Sequence, residues 1–217
     1  MKLNKVKKLL TAVLAATMVM ASAVTVSATG DPGSGADSGS GDSGSSQAAT
    51  YAEVMSKSAD APMAVAGTSV KTSVAGVYAA QKVQGVAVTT PTASVKTSLG
   101  LSASQTPAII IYDTDEQKSY LAMACVNAAA ESINGTVVAS MNIDLGAKEN
   151  GKWVTLSGGT IGLVTGLPKG ADTNKEYCAI CVQPGGIVTI LEDQDTNPAT
   201  VTFEVQAGLG TYAIVAK

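Results

Sequence analysis

The chain has 217 residues, 46% of them apolar and 4% aromatic, with 14 basic and 17 acidic side chains and no histidine. Without histidine there is no Ser-His-Asp or Cys-His catalysis, and the commonest zinc ligand is missing. Every basic residue is lysine, and without arginine to read bases or fork onto phosphates, nucleic acid is not an expected partner.

The chain opens with Lys2, Lys5, Lys7 and Lys8, then an apolar run from Leu9 to Val26, then the small-residue site Val26-Ser27-Ala28. This reads as a secretory signal peptide over 1–28, with Ala21-Ser22-Ala23 as a second cleavage site. The alternative is an uncleaved anchor helix, because the apolar run approaches spanning length. Two cleavage sites followed at once by a polar segment favour cleavage. No cysteine stands near them for lipidation, and the C-terminal "TYAIVAK" shows neither a second apolar span nor a wall-sorting tail. The expectation is a secreted, extracellular protein with no membrane contact after cleavage. Its ten remaining lysines stand against 17 acids, a net charge of −7.

Residues 29–48 follow, and 15 of these 20 are Gly, Ser or Asp. Such a segment buries too little apolar surface to offset its ordering entropy and reads as a disordered linker, with a root-mean-square span of about 25 Å. It is either a spacer or a plain flexible terminus. Residues 49–72 form a poorly patterned lead-in. Two short strands are expected at about 73–80 and 84–89, with a polar turn at Gln81-Lys82. A short helix follows from Pro91, with Val95 and Leu99 on one side and Gly100 ending it. "PAIIIYD" is a continuous apolar run of strand length.

The next segment, "TDEQKSYLAMACVNAAAESING", reads as a longer helix. Thr114 and Gln117 form a capping box, Asp115 and Glu116 fall in the first turn, and Asn134-Gly135 ends the run. Leu121, Cys125 and Ala128 share the expected buried face. Past Gly135 the period becomes two. Val137, Ala139, Met141, Ile143 and Leu145 point one way; Thr136, Ser140, Asn142 and Asp144 point the other. A turn at Asn150-Gly151 leads to a strand holding Trp153. A glycine-broken extended piece follows, and then strands near 176–183, 186–192, 199–205 and 210–216. Short strands at this spacing indicate a sandwich or barrel. The expected fold is α+β: a C-terminal antiparallel β-sandwich over 136–217, with a small strand and helix layer over 73–135 packed against it. Its core would include Val137, Met141, Ile143, Ile180, Val188, Ile190, Val201, Phe203 and Ile214.

Two motifs invite a chemical reading. Cys178-Ala-Ile-Cys181 has redox spacing, but a redox pair needs its first thiol at a helix N-terminus. On a strand, Cys181 shares a face with Tyr177 and Ala179, and Cys178 shares the other with Ile180 and Val182. With Cys125 the cysteines number three, so at most one internal bridge forms; the plainer reading is three small buried hydrophobes. Asp193, Asp195 and Asn197 match positions 1, 3 and 5 of an EF-hand loop, with Glu204 at position 12. Pro198 occupies the position that needs glycine, and Glu204 is carried outward on a strand, so this is no EF-hand. The three residues make either an Asx-type turn or a weak surface calcium site. No other cofactor is expected. Trp153, Tyr112, Tyr120, Tyr177 and Tyr212 are the candidate platforms for sugar stacking, each with a core role as the alternative.

"GGIVTILEDQDTNPATVTFEV" followed by "GTYAIVAK" resembles the closing β-module of many secreted and cell-surface proteins of anaerobic Gram-positive bacteria. "SVAGVYAAQKVQGVAVTTP" and "LAMACVNAAAESINGTVVASMNIDLG" also resemble a small family of short secreted proteins from such bacteria. The likeness spans about 73–217. It implies an extracellular β-rich domain and carries over no catalytic residue.

The expected function is a secreted, non-catalytic binding or interaction module acting on an extracellular protein or glycan. One alternative is a carboxylate-based glycan hydrolase, which needs two acids about 5–10 Å apart, drawn from Asp113, Asp144, Asp172 and Glu176. Another is a structural subunit that self-associates through an exposed strand edge.

Overall fold

The computed structural model describes residues 59–217; the expected signal peptide, the linker and residues 49–58 of the lead-in lie outside the described residues. Described are twelve strands and two helices. The strands are β1 (Pro62–Val65), β2 (Thr68–Lys71), β3 (Ala75–Ala79), β4 (Val86–Val88), β5 (Thr106–Asp113), β6 (Thr136–Glu149), β7 (Lys152–Thr155), β8 (Thr160–Gly166), β9 (Tyr177–Gln183), β10 (Ile187–Glu192), β11 (Thr200–Gln206) and β12 (Gly208–Ala216). The helices are α1 (Thr92–Ser98) and α2 (Tyr120–Ser132). The protein is therefore mostly β.

A seven-stranded sheet runs in the order β10-β9-β12-β6-β5-β3, with β7 paired to the far end of β6. A three-stranded sheet runs β11-β8-β4. All pairings are antiparallel except β3 with β5. Strand β11 lies against β6 and β9 of the larger sheet. Between the sheets sit Met141, Ile143, Leu163, Val201, Phe203 and Ile214, all fully buried. Phe203 stacks on Tyr212 with ring centroids 5.7 Å apart, an aromatic contact that adds to the burial of both rings.

The separate layer expected over 73–135 is corrected by the pairing. Strands β3 and β5 are members of the seven-stranded sheet, and β4 joins the three-stranded one. Helix α1 seals the same core with Val95 and Leu99. Only α2 lies apart, on the outer face of the large sheet, where Met123, Val126 and Ala130 pack on Cys178, Ile180, Val182, Ala213 and Val215.

The lead-in contains structure that its composition concealed. β1 and β2 pair through a two-residue turn at Ala66-Gly67, both with positive φ, +48° and +77°. That backbone twist suits a hairpin, but alanine rarely supplies it, so the usual sequence signal is missing. The hairpin lays Met63, Val65 and Val70 on Ala87 and Val164, covering the outer side of the smaller sheet.

Helix α2 differs from expectation in start and face. It begins at Tyr120 after Ser119. Asp115, not Thr114, organises the entry: its Oδ1 accepts the backbone N–H groups of Gln117 and Lys118 at 3.0 and 3.2 Å. A carboxylate accepts more strongly than a hydroxyl, so the turn closes around Asp115 and the helix is delayed. Leu121 and Ala128 face solvent, and Cys125 is half-buried. In an alanine-rich helix several stripes have helical spacing; the one carrying Met123 and Val126 turns inward because it offers more apolar area.

Val137 is a further correction. Ile214 pairs with Ala139 but Val215 pairs with Val137, so Val138 is an extra residue, a bulge. A one-residue insertion reverses the face, and Val137 joins the cluster beneath α2 with Ile180, Val188 and Ile190.

Candidate functional site

The structure places the two suspected motifs on a strand and in a loop. Tyr177, Ala179 and Cys181 point into the core between the sheets, while Cys178, Ile180 and Val182 point toward α2. The two sulfurs lie on opposite sides of one strand, as alternation requires. Burial pushes both thiols up to about 11, the reverse of what a reactive thiolate needs.

Asp193, Asp195 and Asn197 stand together in the loop between β10 and β11. Four of their side-chain oxygens accept hydrogen bonds within it. Asp193 Oδ1 accepts the N–H groups of Asp195 (3.2 Å) and Thr202 (2.9 Å). Asp195 Oδ1 accepts the Asn197 N–H at 2.7 Å, and its Oδ2 accepts the hydroxyls of Thr200 (3.0 Å) and Thr202 (2.6 Å). Asn197 Oδ1 accepts the Ala199 N–H at 3.1 Å. These are successive Asx turns. The loop borders a polar groove of about 300 Å³, shared with Glu176 and with Glu192, which pairs with Lys217 at 2.7 Å. Among the described residues no group of three or more acids or cysteines is placed to hold a metal ion.

The four acids of the hydrolase alternative are spread over different elements. Asp113 accepts the N–H groups of Gln81 and Lys82 at 3.0 and 3.1 Å, fixing the connection after β3. Asp172 caps its own loop through the Asn174 N–H at 3.0 Å. Glu176 lines the polar groove, and Asp144 lies on the large sheet.

Asp144 belongs to the surface that sequence reasoning missed. Ile109, Ile111, Ile143 and Leu145 enter the core, so Ile110, Tyr112, Asp144, Gly146 and Lys148 face the other way. Register puts Asp144 between Ile110 and Leu209, and puts Trp153 beside Lys148. Helix α2 rests on β9, β10, β12 and the start of β6, and this half of the outer face lies beyond it. Leu209 is 47% exposed, and Ile110, Tyr112, Asp144 and Trp153 are half-buried.

The Trp153 ring lies over Gly146. A Cβ at that position would stand 2.5 Å from Trp153 Cζ2 and 2.7 Å from Cε2, so only glycine lets the indole lie so close to the sheet. Asp144 Oδ1 and Trp153 Nε1 are both buried with no hydrogen-bond partner among the described residues. Burial raises the Asp144 carboxyl above its ordinary range and lowers Lys148. Burial, then the Asp144 charge, raises the Tyr112 hydroxyl. Of the other aromatic candidates, Tyr177 and Tyr212 are buried and Tyr120 stands 64% exposed on α2. The signal that could have found the site is continuation of the β6 alternation to Lys148, combined with the Asn150-Gly151 turn that sets Trp153 opposite it.

No family model, curated protein or solved structure matches the chain.

Proposed function

We propose that the protein is a secreted, non-catalytic binding module of α+β class, its two sheets forming a β-sandwich, and that it binds through the bare half of the large sheet's outer face. The reading rests on one observation: an aromatic and aliphatic strip with Asp144 at its middle, half-buried except for the exposed Leu209, lies beyond the cover of α2. Apolar side chains grouped on a surface mark an interaction site more often than single exposed ones do. The signal-like N-terminus, the linker and the resemblance to extracellular β-modules support action outside the cell.

The test is capture of wall polysaccharide, mucin glycans or wall protein by the purified chain, comparing Leu209→Asp with Leu121→Asp. Both residues are exposed, at 47% and 67%, so both variants should fold. Leu209→Asp is expected to abolish capture while Leu121→Asp, on the solvent side of α2, preserves it. Equal capture by both variants would reject the bare face as the binding surface.

A further inference from the structure

The geometry points to a neutral glycan as the ligand of this face, seated with a sugar ring on Trp153 and a hydroxyl on Asp144. The inference rests on the binding reading above and names its ligand.

Three observations select that chemistry. The first is the platform itself. Trp153 is laid against the sheet by Gly146, so its ring is held and little ordering remains to be done on binding. The face of an aromatic ring is electron-rich, and the C–H groups on one side of a pyranose carry the complementary partial positive charge. A flat, apolar sugar face fits such a platform.

The second is unused hydrogen-bonding capacity of both kinds. Asp144 Oδ1 is an acceptor and Trp153 Nε1 a donor, and both lack partners among the described residues. A buried polar group left unpaired is destabilising, and a ligand that pairs it recovers that loss. A hydroxyl both donates and accepts, so a sugar hydroxyl can serve the Asp144 carboxylate once that half-exposed side chain turns to meet it, while the indole stays seated on Gly146. An aliphatic protein surface offers neither bond. Tyr112 stands next to Asp144 on the same face and supplies a further hydroxyl.

The third is charge. The chain after residue 28 carries ten lysines against 17 acids; on the strip itself the Asp144 carboxylate shares its face with Lys148, buried beside Trp153, so the excess acidity of the rest of the chain sets the field. That field disfavours uronates and phosphate-bearing wall polymers and leaves uncharged sugars as the fitting class.

The chain has a single tryptophan, so its intrinsic emission reports Trp153 alone. The experiment titrates the purified protein with neutral tetrasaccharides (β-1,4-linked glucose, N-acetylglucosamine and mannose) and with tetragalacturonate. Emission and calorimetry are read together, and calorimetry also follows Trp153→Ala, Trp153→Phe and Asp144→Asn. At least one neutral tetrasaccharide should shift the emission and saturate. Trp153→Ala should weaken it ~10-fold or more, Trp153→Phe should retain part of the affinity, and Asp144→Asn should weaken it by a few-fold. Tetragalacturonate should not bind.

Sugar binding that survives both Trp153→Ala and Asp144→Asn overturns the assignment. So does tight binding of tetragalacturonate in place of the neutral sugars. If no sugar binds while Leu209→Asp still abolishes capture of wall protein, the glycan is rejected and the binding face stands. If Leu209→Asp also changes nothing, the face itself is rejected.

Discussion

The outer face of the seven-stranded sheet is divided into two halves that share strands but not chemistry. Beneath α2 the sheet offers Cys178, Ile180, Val182, Ala213 and Val215, small or branched apolar side chains with no charge among them. Beyond the helix, on the continuation of β6 and on β5 and β7, the face offers Asp144, Lys148, Tyr112 and Trp153. The first half is built to be covered by its own chain. In the second, Lys148 is buried, while Tyr112, Asp144 and Trp153 are half-exposed with polar tips, a composition that tolerates water and meets another molecule equally well. A helix laid over it would bury the Asp144 carboxylate without a partner, a cost a covered face avoids.

The largest test of this division is Val126→Asp. Val126 is fully buried between α2 and the sheet. A carboxylate there has no cation to pair with in that apolar cluster, and the loss is expected to exceed about 3 kcal/mol. Urea denaturation measures it. A loss under about 1 kcal/mol, the range of ordinary surface changes, would mean that α2 is not a fixed cover, and the two halves would no longer differ in kind.

Next is a pair on the same helix. Met123→Ala removes a buried side chain and is expected to cost about 2–5 kcal/mol. Leu121→Ala, at 67% exposure, should change stability by no more than about 0.5 kcal/mol. Similar losses in both variants would return the buried face to the Leu121 stripe.

These two residues show where the sequence was legible and where it was not. In the last four strands alternation decides everything local: Val201, Phe203 and Val205 go in and Glu204 goes out, and the two cysteines separate by face. Alternation is a property of the strand alone. Which sheet a strand joins is a matter of distant pairing, so the membership of β3, β4 and β5 could not be read from their own residues. The Val138 bulge is equally silent, because nothing in "TVVASM" marks one valine as extra. In α2 the alanines make several faces equivalent, and only the sheet below selects one. The candidate site fell in the same gap. Trp153 and Asp144 were each visible as chemistry, but their placement on one face depends on the β6–β7 register, and the room left there on where α2 stops.

Gly146→Ala tests the bare half directly. The added Cβ would stand 2.5 Å from the Trp153 ring and 2.9 Å from the Val154 carbonyl oxygen, so the ring and the β7 backbone must both give way. Overpacking of this kind is expected to cost about 1–3 kcal/mol. The fold should persist, with tryptophan emission moving to longer wavelength as the ring is exposed. Unchanged emission would show that the indole is not held by the glycine gap, and the contrast with the helix-covered half would lose its most specific feature.

The smallest effect is the most diagnostic of electrostatics. Asp144 has its carboxyl raised by burial. When the folded value lies above the unfolded one, about 3.9, the native state holds the proton more tightly. The stabilisation that this gives is fully present below the unfolded value and is lost as pH rises through the folded one. An amide in place of this carboxyl has nothing to titrate. Asp144→Asn is therefore expected to equal or trail the wild type near pH 3 and to exceed it at pH 7, by less than about 1 kcal/mol because the site is part-exposed. Thermal unfolding at the two pH values reads the crossover. A variant whose advantage is the same at both would place the Asp144 carboxylate in ordinary solvent contact. The strip would then lack the desolvated acceptor that separates it from any other exposed patch of a β-sheet.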